Sequence, residues 1–186
     1  MPNHFVYLKG IQASLWLFIT LWLLSLVPLG MLFISDHYEK NEPFFLNPVL
    51  SEKNNFKIRN DKLGKGHFGA TRGKFSQRRH EGIDIAADLN TDIQAPRSGR
   101  ITVASPNKGY GEYIQIQHSD GWQSRYAHLS EILVHKGDWV KRGVVIGRVG
   151  KTGNANLQEM QPHLHFEIRR KGRVVDPQPL MDLPIS

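Results

Sequence analysis

Between Gly10 and Ser35 the chain carries no Asp, Glu, Lys, Arg or His, and within that run Leu15 to Ile34 is dominated by Leu, Trp, Phe, Ile and Val. As a helix, a stretch of this length reaches about 30 Å, the thickness of a bilayer's hydrocarbon layer. It is apolar all round, with no polar stripe to meet water, which argues against a buried helix of a soluble fold. A cleaved secretory signal has a shorter apolar region followed by small residues. Here Val27-Pro28-Leu29-Gly30-Met31 lies inside the run and Asp36-His37-Tyr38 follows it. The run therefore predicts one retained transmembrane helix over residues 10–35, preceded by a short cytoplasmic N-terminus over 1–9. Lys9 and the terminal amine come before it, and Asp36, Glu39 and Lys40 come after it. That bias predicts a single pass through the cytoplasmic (inner) membrane, with the remainder on the periplasmic or extracytoplasmic side.

Residues 36–54, with Glu42-Pro43, Asn47-Pro48 and Asn54-Asn55, mix turn formers with few periodic apolar positions and read as a linker. Residues 55–186 remain as the folded domain. Only three of the 24 Lys and Arg precede residue 55, against four of the 17 Asp and Glu, so the remainder carries a charge of +8. A basic domain tethered outside the cytoplasm meets lipid headgroups and acidic wall polymers, and no nucleic acid. The chain has no cysteine. Disulfides, thiolate nucleophiles and Cys-type zinc sites are excluded together, and any metal must be held by His, Asp or Glu.

The domain reads as short strands separated by turns. Tyr113 to His118 alternates, Asp120-Gly121 is a tight hairpin signal, and Trp122 to His128 returns. Further strands are expected at Arg100 to Ala104, Val144 to Val149, His163 to Arg169 and Arg173 to Val175. No segment has a sustained helical period, so the class is all-β.

Three histidine-bearing segments carry the chemistry. In His80-Glu81-Gly82-Ile83-Asp84 a straight strand would hold the imidazole and carboxylate about 13 Å apart. A shared ion therefore needs a bend, which Gly82 permits. In His163-Leu164-His165-Phe166-Glu167-Ile168, alternation sends Leu164, Phe166 and Ile168 to one face and His163, His165 and Glu167 to the other. Both imidazoles on one metal, one ligating beside the other, and a plain polar outer face of an edge strand are all compatible with that spacing. In Tyr126-Ala127-His128-Leu129, His128 falls at a strand end on the same face as Tyr126. Two histidines and one carboxylate would make a zinc site with an open fourth position, and two further imidazoles would remain for acid-base work near neutral pH. His4, His37, His67, His118 and His135 lack such company and read as structural or surface residues.

In that order, His80-x-x-x-Asp84, Tyr126-Ala127-His128-Leu129 and His163-Leu164-His165-Phe166-Glu167 resemble the M23 (LytM/lysostaphin-type) zinc metallopeptidases. The likeness extends over roughly residues 62–182, through Gly82-Ile83-Asp84-Ile85-Ala86-Ala87, Gly109-Tyr110-Gly111 and Gly137-Asp138-x-Val140-x-x-Gly143. The resemblance implies an antiparallel β-sheet core. It implies hydrolysis of peptide bonds in bacterial peptidoglycan, with stem-peptide cross-links expected ahead of glycine bridges. It makes His80, Asp84 and His165 the ligands of a single Zn2+ and gives His128 and His163 the catalytic roles.

Two features depart from the family. The segment Thr152 to Pro162 is longer than the Gly/Ser-rich turn common there, and no tyrosine lies between Asn54 and His80 to steady an oxyanion. Arg72, Arg78 or Arg79 either substitutes for that tyrosine electrostatically or forms a solvated basic loop. A non-catalytic wall-binding or amidase-activating module on the same fold is the alternative function, but such modules usually lack one or more of the five site residues, all of which this chain has. A biotinyl-type carrier domain would share the Gly137-Asp138 turns, but this chain lacks the required lysine hairpin.

Overall fold

The computed structural model describes residues 16–22, 42, 44–50, 56–72 and 78–181. The chain divides into two compact units, residues 1–38 and 39–186. In the first, residues 16–22 are helical with exposed side chains. Among the described residues no helix is long and apolar enough to cross a membrane, and most of the expected span lies outside them.

The second unit is built from the alternating runs. Its strands are β1 (Lys57–Ile58), β2 (Asn60–Asp61), β3 (Gly64–Lys65), β4 (Ile83–Ala86), β5 (Asp92–Gln94) and β6 (Gly99–Ala104), followed by β7 (Glu112–Gln117), β8 (Trp122–Ile132), β9 (Trp139–Val140), β10 (Val145–Val149), β11 (His163–Arg170) and β12 (Arg173–Val175). One sheet runs β1-β4-β11-β8-β7-β6-β9, with β12 against β11 and β10 bridging β8 and β5, while β2 and β3 form a separate hairpin. The pairings are antiparallel. This is the expected all-β class.

Leu164, Phe166 and Ile168 of β11 enter the core beside Ile83, Ile85, Ile114, Ile116 and Tyr126. β11 is flanked by β4 and β8, so it is a central strand and its polar side is no edge-strand surface. His163, His165 and Glu167 on that side are themselves buried. Buried polar groups require partners, and those partners make up the site.

Part of the segment read as a linker belongs to the domain. Phe45 and Val49 are core residues, Phe45 bridging to Met181 and Val49 to Ile93. The Glu42 carboxylate accepts the Ser98 N–H at 2.7 Å and the Ser98 hydroxyl at 2.6 Å. Isolated apolar residues among turn formers have no period to read, yet each packs into the core.

Gly82 is needed for a different reason from the one its flexibility suggests. A Cβ there would lie 2.2 Å from the Phe166 carbonyl oxygen. The missing side chain lets the turn before β4 press against β11, which brings His80 over that strand.

Candidate metal centre

The register of β4 against β11 sets Asp84 opposite His165, and the bend at 81–82 folds His80 back onto both. His80 Nε2 lies 2.9 Å from His165 Nδ1 and 3.0 Å from Asp84 Oδ1, and His165 Nδ1 is 2.9 Å from the same oxygen. The three buried groups present one donor atom each. A tetrahedral ion with bonds of about 2.0–2.2 Å spaces its donors by roughly 3.3–3.6 Å. The observed triangle needs only a few tenths of an ångström of opening, so the donor set fits zinc.

The surrounding contacts aim these atoms. His80 Nδ1 donates to the His67 carbonyl at 2.9 Å, leaving Nε2 as the lone-pair nitrogen. His165 Nε2 donates to Glu167 Oε1 at 3.1 Å, the carboxylate support that commonly orients a ligating imidazole. Glu167 Oε1 also accepts the Tyr110 hydroxyl at 2.6 Å, and Arg169 Nε donates to Oε2 at 3.0 Å. Asp84 Oδ2 accepts Arg59 Nη2 at 3.0 Å and Arg72 Nη2 at 2.8 Å.

His128 and His163 stand beside this triangle and outside it. Their rings are 5.2 Å apart, centroid to centroid, and that of His128 is 5.8 Å from His165. His163 Nδ1 donates to the Gln161 carbonyl at 2.7 Å and His128 Nδ1 to the Thr152 carbonyl at 2.9 Å. Each ring is thereby held as the tautomer with its lone pair on Nε2. Burial, reinforced by the charge on His165, lowers the His128 pKa to about 3. Burial also lowers that of His163. Both are therefore neutral bases at neutral pH.

The structure corrects the expected face of His128. Tyr126 is fully buried in the core, and strict alternation would send His128 there too. Instead β8 holds an extra residue between Tyr126 and Leu129 relative to β7, and His128 sits at φ 65°. This bulge turns the imidazole to the site face, as bulges beside active sites commonly do.

The arginines also differ from expectation. Arg72 is committed to Asp84, and Arg79 bonds the Gly69 carbonyl and Thr71. The phenol in the groove comes from Tyr110, which lies after His80 and Asp84 in sequence and is brought to the groove by the fold. Glu167, Tyr110 and Arg59 join the site only through the fold. Alternation did place Glu167 on the face of His165, which was the available signal. His118 is structural as expected, bonded to the Ser98 carbonyl and the Ser124 hydroxyl.

A pH dependence follows for the metal-free centre. Burial opposes a charge on His165, but the hydrogen bonds to Asp84 and Glu167 outweigh it and raise its pKa to about 9. At pH 7 the ring therefore carries a proton that metal must displace. Calorimetry in buffers of different ionisation enthalpy should show about one proton released per zinc at pH 7, fading as pH rises through 9, with affinity increasing in parallel. No proton release at pH 7 would refute this assignment of charge.

An all-β domain with a buried His2Asp donor set and two supplementary imidazoles in an open groove of about 1270 Å³ has the form of a metallopeptidase. The chain belongs to peptidase family M23, whose model matches residues 78–177. It is 37% identical over 108 residues to Stage II sporulation protein Q of Bacillus subtilis, covering 57% of this chain and 38% of the relative. It is 42% identical over 100 residues to the DD-carboxypeptidase/endopeptidase Mpg of Neisseria meningitidis, covering 54% of this chain and 22% of the relative. The match therefore spans well under half the length of these relatives. Among solved structures, a zinc containing peptidase from Vibrio cholerae superposes with a TM-score of 0.60 at 31% identity, covering 77% of this chain and 41% of that one.

Proposed function

We propose that the protein is a zinc-dependent endopeptidase that hydrolyses peptide bonds of bacterial peptidoglycan. The observation carrying this reading is the donor triangle with edges of 2.9–3.0 Å set beside two neutral imidazoles that are not part of it. His80, Asp84 and His165 would hold the zinc. Bound there, zinc would supply Lewis acidity toward a substrate carbonyl and make a water acidic enough to lose its proton near neutral pH.

The chain's own residues do the rest. The groove, with Phe68, Met160 and Val174 as apolar lining and Lys108 and Arg79 as cationic lining, accepts an extended peptide bearing carboxylates. Of His128 and His163, the ring that takes the water's proton at Nε2 becomes the donor that hydrogen-bonds the developing oxyanion and then returns the proton to the leaving amine, while the other, neutral at Nε2, accepts a hydrogen bond from the water and orients it. The likeness to a protein named as a DD-carboxypeptidase/endopeptidase supports stem-peptide cross-links as substrate ahead of glycine bridges. The apolar run at 10–35 supports a place in the cytoplasmic membrane with the domain outside. Carbonate extraction and protease accessibility of spheroplasts test this, and a carbonate-extractable protein or a domain protected in spheroplasts would exclude it.

The second reading is a non-catalytic wall-binding or amidase-activating module. It draws on the likeness to a protein named as a murein hydrolase activator, and the presence of all five site side chains weighs against it. Zinc-loaded full-length protein in mild detergent, incubated with purified peptidoglycan, should release fragments whose masses identify the cleaved bond. An intact polymer, where a known M23 endopeptidase cleaves the same batch, would establish the non-catalytic reading.

A further inference from the structure

We infer that Arg59 and Asp61 form a positioning couple that locks the carboxylate of Asp84 in register with His163. Arg59 is 1% exposed, and its backbone is pinned on both sides. Its N–H donates to the Asp84 carbonyl, and its own carbonyl accepts the Gly66 N–H, each at 2.8 Å. Its guanidinium then divides between two carboxylates, Nη2 to Asp84 Oδ2 at 3.0 Å and Nη1 to Asp61 Oδ1 at 2.6 Å.

Asp61 carries the link onward. Its Oδ1 also accepts the Leu63 N–H at 2.9 Å, and its Oδ2 accepts the Gln161 N–H at 3.2 Å. Gln161 is the residue whose carbonyl receives the Nδ1 proton of His163 at 2.7 Å. Because Pro162 follows, Gln161 is restricted to extended backbone. Fixing its N–H therefore also fixes the direction of its carbonyl.

A strut for the β2–β3 hairpin would not need this chemistry. Burying a guanidinium is costly, and an apolar contact would secure a hairpin with less penalty. Arg59 Nε, moreover, is buried without a hydrogen-bond partner. The ionic form has two consequences that an apolar contact lacks. Occupying Asp84 Oδ2 leaves Oδ1 as the oxygen shared with His80 and His165. Holding Gln161 keeps His163 in the tautomer with its lone pair on Nε2. Arg72 also donates to Oδ2, but among the described residues it is Arg59 that continues, through Asp61, to the segment that carries His163.

Asp61→Asn tests the couple, since the amide keeps the size of the carboxylate but turns a donor toward Arg59 or Gln161. Full-length zinc-loaded protein should keep one zinc per chain while kcat falls about 10- to 100-fold with KM changed less than about 2-fold. In 15N spectra His163 should move from a single tautomer to a mixture. Arg59→Lys, which reaches one carboxylate but not both, should reproduce these effects if Asp61→Asn fails to fold. A lower Tm with the His163 tautomer and kcat unchanged would overturn the inference and leave a structural strut. The kinetic arm rests on the endopeptidase reading. If wild-type protein cleaves nothing, that reading fails, and the tautomer of His163 alone decides this inference.

Discussion

Asp84→Ala should be the most damaging single change in the domain, abolishing zinc binding and lowering stability together. Loss of metal follows from removing one of three donors. The loss of stability has a separate source. Asp84 is the anion shared by Arg59 and Arg72, and deleting one partner of a buried ion pair costs about 3–5 kcal/mol because the remaining charge stays buried. His80→Ala should lose zinc without that penalty, since its Nδ1 contact is to a backbone carbonyl near the groove surface. His165→Ala should also lose zinc, while Glu167 keeps Arg125, Arg169 and Tyr110 as partners. Metal analysis and thermal melting of the three apo variants make the comparison. Equal melting temperatures for Asp84→Ala and His80→Ala would show that the arginines are not held by Asp84, and retained zinc in any of the three would remove that residue from the ligand set.

The same residues show where sequence reading stops. Period-two alternation over Tyr113 to His118 and His163 to Arg169 was sufficient to place β7, β11 and the core-facing Leu164, Phe166 and Ile168. It also put His163, His165 and Glu167 on one face. The partners in the site come instead from contacts between distant segments. Arg59 and Asp61 lie in a short polar hairpin with no apolar period, and their role exists only once β1 pairs with β4 and the 156–162 segment closes over them. The bulge at His128 is equally invisible locally, because an extra residue is defined by the strand opposite. Phe45 and Val49 escaped for the complementary reason, as single apolar residues without a repeat cannot be told from a linker until the core they fill is built.

The bulge also sharpens the test of catalysis. His163→Ala should keep zinc, in contrast to His165→Ala, and lose turnover by about 10²- to 10⁴-fold, the range for removing general acid-base help. His128→Gly should lose as much, yet its stability should hardly move. Glycine relieves a left-handed backbone that costs an L-residue about 1–2 kcal/mol, against which stand the greater freedom of the unfolded chain, about 0.4–1 kcal/mol, and the bond to the Thr152 carbonyl, about 1 kcal/mol. These nearly cancel. His128→Ala lacks the relief and should melt lower than His128→Gly while being equally inactive, which separates the cost of the conformation from the contribution of the imidazole. If Ala and Gly variants melt together, the strain relieved at 128 is no larger than the freedom that glycine adds to the unfolded chain, about 0.4–1 kcal/mol. Because both imidazoles act on one transition state, His128→Gly with His163→Ala should cost less than the product of the single losses. A fully multiplicative loss would mean that the two rings serve separate steps.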